Sequence, residues 1–136
     1  MTGTPSAVAA PRSRTVTTLA GVGAAVAVNL VVYAAGRLAG GDFTLTRAGA
    51  AIEVDAFTVA GFSAVPLGIG LALVAALVGR VPRIAALASV VAPLLAVVTI
   101  FLMTIPADLD AVSTMTLAAC HLTLVPISLW AIGRLR

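Results

Sequence analysis

The stretch TLAACHLTLVPISLW, residues 116–130, sets the single histidine of the chain, His121, beside its single cysteine, Cys120, in otherwise apolar surroundings. A solvated imidazole titrates near neutrality and could relay protons or bind a solute. A neighbouring thiol suggests a nucleophile and its base, but adjacent residues on a helix point about 100° apart. The pair therefore cannot share one substrate atom or chelate one metal well, and no acid stands nearby to orient the imidazole. The sequence predicts no enzymatic activity, no metal site and no cofactor.

Two further polar sets carry the right spacing to act together. Thr114, His121 and Ser128 recur every seven residues and would form a line down one helix face. Asn29 and Tyr33 share a face at i, i+4 of an earlier apolar block, with Ala25 and Gly36 small enough to let another helix approach. These five residues, His121, Asn29, Tyr33, Thr114 and Ser128, form the candidate polar site. A second candidate is an acidic mouth of Glu53, Asp55, Asp108 and Asp110, able to gather cations. The runs EVD and DLD lack the twelve-residue ligand pattern of an EF-hand, so no defined calcium site is expected.

These residues sit in a chain that is 61% hydrophobic and 10% charged, with mean hydropathy +1.17. Ordinary soluble domains carry about 25% charged residues. The composition is that of an integral membrane protein. All eight basic residues are arginines placed at the edges of apolar blocks, so the net charge of +3 reads as topology and not as a nucleic-acid surface. One cysteine permits no internal disulfide and no Cys-x-x-Cys chemistry. Abundant alanine, valine and glycine with no lysine suggest a GC-rich bacterial genome.

The elements that must position the candidates follow from the apolar blocks. Residues 1–15 are small, polar and proline-containing, and read as a disordered cytoplasmic tail. Residues 16–136 form one transmembrane domain with spans at 16–35, 57–78, 84–105 and 111–132, each near the roughly 20 residues that cross a bilayer. The first block is longer than the 7–15 residues usual for a signal-peptide core and is expected as an uncleaved span. GRVPR and PADLD are short enough to make successive spans antiparallel neighbours. The outer loop, 36–56, is longer, and DFTLT and AIEVD alternate as two short strands would. Arg12, Arg14, Arg80, Arg83, Arg134 and Arg136 fall on one side and Arg37 and Arg47 on the other, which predicts both termini in the cytoplasm and all five acids outside.

No charged residue lies within the body of a span, consistent with a cost of about 2.5–3.5 kcal/mol or more at the bilayer centre. Small multidrug exporters rely on a glutamate in their first helix, and this first helix has none. Pro66, Pro93 and Pro126 free the carbonyls of Phe62, Ser89 and Leu122, which either line a solute path or mark kinks satisfied by neighbouring helices. The sequence supports two uses of His121: lining a path, or fastening helices as a neutral hydrogen-bonding group. Fastening is the preferred reading.

The order EVDAFTVAGFSAVPLGIGLALVAALVGR, then a third helix carrying Pro93, then DLDAVSTMTLAACHLTLVPI resembles a family of small four-helix bacterial membrane proteins known only as a domain of unknown function. Thr114, Thr116, His121, Leu122 and Pro126 carry that likeness, which covers residues 16–133, while Asp108 and Asp110 depart from the pattern. The resemblance implies a location and a fold, and no activity.

The expectation is therefore an all-α membrane protein, a four-helix antiparallel bundle with both termini inside, in the bacterial cytoplasmic membrane. Its solvent is the lipid bilayer, and its partners are further copies or another membrane protein. The expected function is a non-enzymatic structural, accessory or interaction component. The alternative is a small oligomeric transporter or channel with His121 lining the path.

Overall fold

The computed structural model describes residues 11–136, with side chains from Ser13 onward. Its elements are α1 (Pro11–Leu38), a hairpin of β1 (Thr44–Arg47) and β2 (Ala50–Glu53), α2 (Ala56–Leu77), α3 (Ile84–Thr99) and α4 (Ala111–Leu135). Between α3 and α4 lie a π-helical turn, Ile100–Thr104, and a short 3₁₀ turn, Ile105–Ala107. Four helical segments are long and apolar enough to cross a membrane. Valine-rich stretches such as VAVNLVV favour strands in water, but hydrocarbon offers backbone groups no partner, and a helix satisfies them within the segment.

The sequence predicts a disordered tail over residues 1–15. Residues 1–10 lie outside the described residues, and residues 11–15 are already helical. Arg14 then reaches across to α2, its Nη1 donating to the carbonyl of Ala75 at 3.1 Å.

The far end of α1 closes in a Schellman motif. Gly41 N–H donates to the Gly36 carbonyl at 3.0 Å and Gly40 N–H to that of Arg37 at 3.1 Å, with Gly40 at φ +95°. The alternating segments form an antiparallel hairpin with Leu45 opposite Ile52, turning through Ala48 and Gly49, both at positive φ. Helix α2 starts at Asp55, whose carboxylate accepts from Thr58 N–H at 2.7 Å; α4 starts at Asp110, which accepts from Val112 and Ser113 N–H at 2.9 and 3.0 Å.

Packing follows one row of α1. Gly21, Ala25, Asn29 and Tyr33 recur every fourth residue and are all buried, with Gly36 completing the row. That ridge lies in the groove between α2 and α4. Small residues are required there: a Cβ on Gly36 would stand 2.4 Å from Thr116 Oγ1, whereas one on Gly23, on the outer face, would meet nothing.

Successive helices were expected to be neighbours, and for α2 and α3 this holds only weakly. Helix α3 packs mainly on α4, and α2 touches α4 more than it touches α3. The reason is in the sequence of α3, which has one narrow small face, Ala85, Ala88, Ala92 and Ala96, while Leu87, Val90, Leu94 and Leu95 are exposed. A stripe that narrow seats one helix along its length. Near the arginine-rich end, Ala85 joins Leu71, Val74, Ala131, Ile132 and Leu135 in an apolar core. Toward the hairpin end, a second core gathers Tyr33, Phe43, Val59 and Cys120.

Candidate functional site

Asn29 lies on α1, 1% exposed, and its carboxamide is used in two directions. Nδ2 donates to Ser63 Oγ of α2 at 2.8 Å, and Oδ1 accepts from Thr123 Oγ1 of α4. The Ser63 hydroxyl itself donates to the Val59 carbonyl at 2.8 Å, which leaves its lone pairs for the amide and fixes which amide atom faces it. The Asn29 carbonyl in turn receives the Cys120 thiol at 3.8 Å, a weak contact. One side chain thus ties three helices at a single level. Ser63 and Thr123 were not among the sequence candidates. The signal available was the run Ser113, Thr116, Cys120, Thr123 at spacings of three, four and three, a small polar stripe with the period of a buried face.

His121 is not brought to Asn29. It lies one residue around α4 from Cys120 and turns toward α3, where its Nδ1 is 3.2 Å from Thr99 Oγ1. The threonine hydroxyl also sits 2.8 Å from the Leu95 carbonyl and 2.9 Å from that of Ala96. With the hydroxyl proton directed at one of those nearer carbonyls, it is the Nδ1–H tautomer of the imidazole that would donate to Thr99 Oγ1. Directly beyond Thr99 the backbone widens into the π turn, in which Ile105 N–H reaches the Ile100 carbonyl. That widening precedes Pro106, which has no N–H to continue the α pattern.

The seven-residue line splits among different surroundings. Thr114 is half-buried, its hydroxyl 3.5 Å from the Leu109 carbonyl; Ser128 is buried and donates to the Val125 carbonyl at 2.9 Å. An α-helix drifts about 20° per heptad, so two heptads carry Ser128 round toward the core. Tyr33, 8% exposed, shares the inner face with Asn29 and packs its ring 4.7 Å from that of Phe43, tilted by 60°.

Phe43 is the residue the sequence did not mark. It is fully buried at φ +56°, a backbone region rarely used by bulky residues. Three contacts hold it there. Its N–H donates to Ser113 Oγ at 2.9 Å, its carbonyl accepts from Val54 N–H at 2.8 Å, and Arg37 lies 5.9 Å from its ring centre. The chain leaving α1 therefore folds an aromatic ring back over the end of the α1–α2–α4 core.

The acidic candidates are each engaged locally. Glu53 pairs with Arg37 at 3.1 Å, Asp55 and Asp110 cap α2 and α4, and Asp108 ends the 3₁₀ turn at φ +52°. Hydrogen bonds from the Thr58 hydroxyl and N–H hold the Asp55 carboxyl below its usual range. The Ser113 hydroxyl and N–H do the same for Asp110, which also accepts from Asp42 N–H at 3.2 Å. Among the described residues, no three His, Cys, Asp or Glu side chains come together as a metal site.

Comparison with curated proteins and with solved structures gives no match. The DUF6069 family, described as a family of unknown function, matches residues 9–135, and the chain belongs to that family, as its likeness to an uncharacterised group of small membrane proteins implied.

Proposed function

We propose that this chain is a non-enzymatic accessory or interaction component of the bacterial cytoplasmic membrane, an antiparallel four-span bundle with both termini on the cytoplasmic side. The observation that carries this reading is the use of the intramembrane polar groups. Asn29 is spent on Ser63 and Thr123, and His121 on Thr99, so each ties one helix to another. Contacts of this kind commonly contribute about 0.6 kcal/mol each, which suits fastening. The broad exposed apolar side of α3 is open to lipid, to another copy or to a membrane-protein partner. The segregation of arginines from carboxylates supports the orientation.

One observation favours a second reading, a small oligomeric transporter or channel. The His121–Thr99 contact is half-buried and stands beside a π turn, an irregularity that recurs at functional sites. Proton flux separates the two. Purified protein is placed in liposomes with an internal pH dye and an imposed potential, wild type beside His121→Ala at matched incorporation. The accessory reading expects no flux above empty liposomes for either. Flux in wild type that disappears in His121→Ala would replace it with the conducting one.

A further inference from the structure

At the arginine-rich end, a groove of about 440 Å³ opens between α1 and α2, with Arg14, Thr18, Leu19, Ala72, Ala76 and Arg80 among the residues of its wall. Its two guanidiniums are held in place from behind. Arg14 Nη1 donates to the Ala75 carbonyl at 3.1 Å and Arg80 Nη1 to the Ala76 carbonyl at 3.2 Å, both in the last turn of α2. Each spends one nitrogen on that anchor, and a guanidinium has five N–H donors to place. Arg14 Nε and Thr18 Oγ1 are closed off from solvent and have no hydrogen-bond partner among the described residues. Each guanidinium thus keeps further N–H donors beside the groove after its anchoring bond is made.

Charge points the same way. The one ion pair among the described residues, Arg37 with Glu53, is at the hairpin end. All five carboxylates belong to residues 42–110 on that side, and residues 1–10 contain no acid. Arg14 and Arg80 therefore have no side-chain counter-ion. Below them the wall becomes apolar through Ala72, Ala76 and Leu19, the last of these 65% exposed. A second groove, lined by Val16, Ala20, Trp130 and Arg134, differs at this point, because its cation already lies 5.7 Å from the Trp130 ring centre.

We infer that the α1–α2 groove binds one anionic phospholipid, with its phosphate between Arg14 and Arg80 and an acyl chain along Leu19, Ala72 and Ala76. Paired cations above an apolar wall match a headgroup above its tail, and a free phosphate would use only the upper half. The inference rests on the helices' lying in a bilayer and not on the accessory reading, which the flux measurement tests separately.

The test uses the full chain in neutral detergent, titrated with phosphatidylglycerol, phosphatidylcholine or inorganic phosphate, with retained lipid counted by native mass spectrometry. One phosphatidylglycerol per chain is expected, retained in preference to phosphatidylcholine, and its affinity should fall about 30-fold in Arg14→Gln/Arg80→Gln if each arginine contributes as it does near an anionic leaflet. Ala76→Leu, which narrows the groove and leaves both charges, should also lose the lipid, and serves if the double variant does not fold. Arg83→Gln should retain it. Equal retention of both lipids, or undiminished phosphatidylglycerol binding in Arg14→Gln/Arg80→Gln or Ala76→Leu, overturns the inference. Inorganic phosphate competing at similar affinity makes the site one for free phosphate and overturns the lipid assignment.

Discussion

Asn29 has one carboxamide and serves three helices. Removing it takes away two interhelix hydrogen bonds, but Ser63 and Thr123 each retain a backbone carbonyl within reach, at Val59 and Cys120. The expected loss is therefore moderate: Asn29→Ala should lower unfolding free energy in mixed micelles by about 1–2 kcal/mol, from the lost contacts and the small cavity. A double-mutant cycle with Ser63→Ala should give a coupling of about 0.6 kcal/mol. Zero coupling would mean the carboxamide does not link α1 to α2. At this scale the sequence was partly legible. Asn29 and Tyr33 stood out as polar residues on one small-residue face, and both are buried there. Their partners did not stand out, because serine and threonine can bond their own helix and so announce nothing by type alone. Phe43 was illegible for another reason: its burial depends on a left-handed backbone at a position where sequence pattern suggests only the start of a strand.

The helix caps set how the elements respond to acid. Asp55 and Asp110 have carboxyl pKa values lowered from 3.8 by hydrogen bonds present only in the folded chain. A lowered folded-state value favours folding wherever the unfolded carboxylate is ionised, so this contribution is complete above about pH 5. It is lost as the pH falls below about 4 and through the folded values. Thermal unfolding in detergent should therefore change little through these two groups from pH 7 to 5 and weaken below. Asp110→Asn keeps a capping oxygen for Val112 and Ser113 but turns an amide NH₂ toward Asp42 N–H. It should lower the melting temperature at pH 7 and flatten part of the acid limb; an unchanged acid limb would remove Asp110 from this account. The elements themselves were the most readable level. Apolar block length gave four helices, and alternation gave the hairpin. The extra turns at the ends of α1 and α4 were missed because arginines end an apolar block without ending a helix. Their stems lie along apolar surface while the charged heads reach polar partners, as Arg14 and Arg136 do at Ala75 and Ser89.

For the whole molecule, charge segregation makes a claim about orientation that labelling can test. In a Cys120→Ala background, Ala50→Cys lies in the hairpin and Gly79→Cys in the α2–α3 turn, both exposed. An impermeant thiol reagent should label the first in intact cells and the second only after permeabilisation; the reverse pattern would invert the assignment. What could not be read in advance was how α3 attaches, since chain order brings α2 and α3 together but only side-chain size decides how wide a contact they keep. Chain order has a further bearing on synthesis. The bond between Asn29 and Thr123 spans 94 residues, and the one seating Phe43 on Ser113 spans 70. At a ribosomal rate of roughly 5–20 residues per second, an emerging α1 waits about 5–20 s before the residue that completes its polar contact has been made. During that interval the carboxamide oxygen of Asn29 lacks its α4 hydroxyl and Phe43 lacks its seat on Ser113, so the α1–α2 pair completes its polar contacts only after α4 has been made.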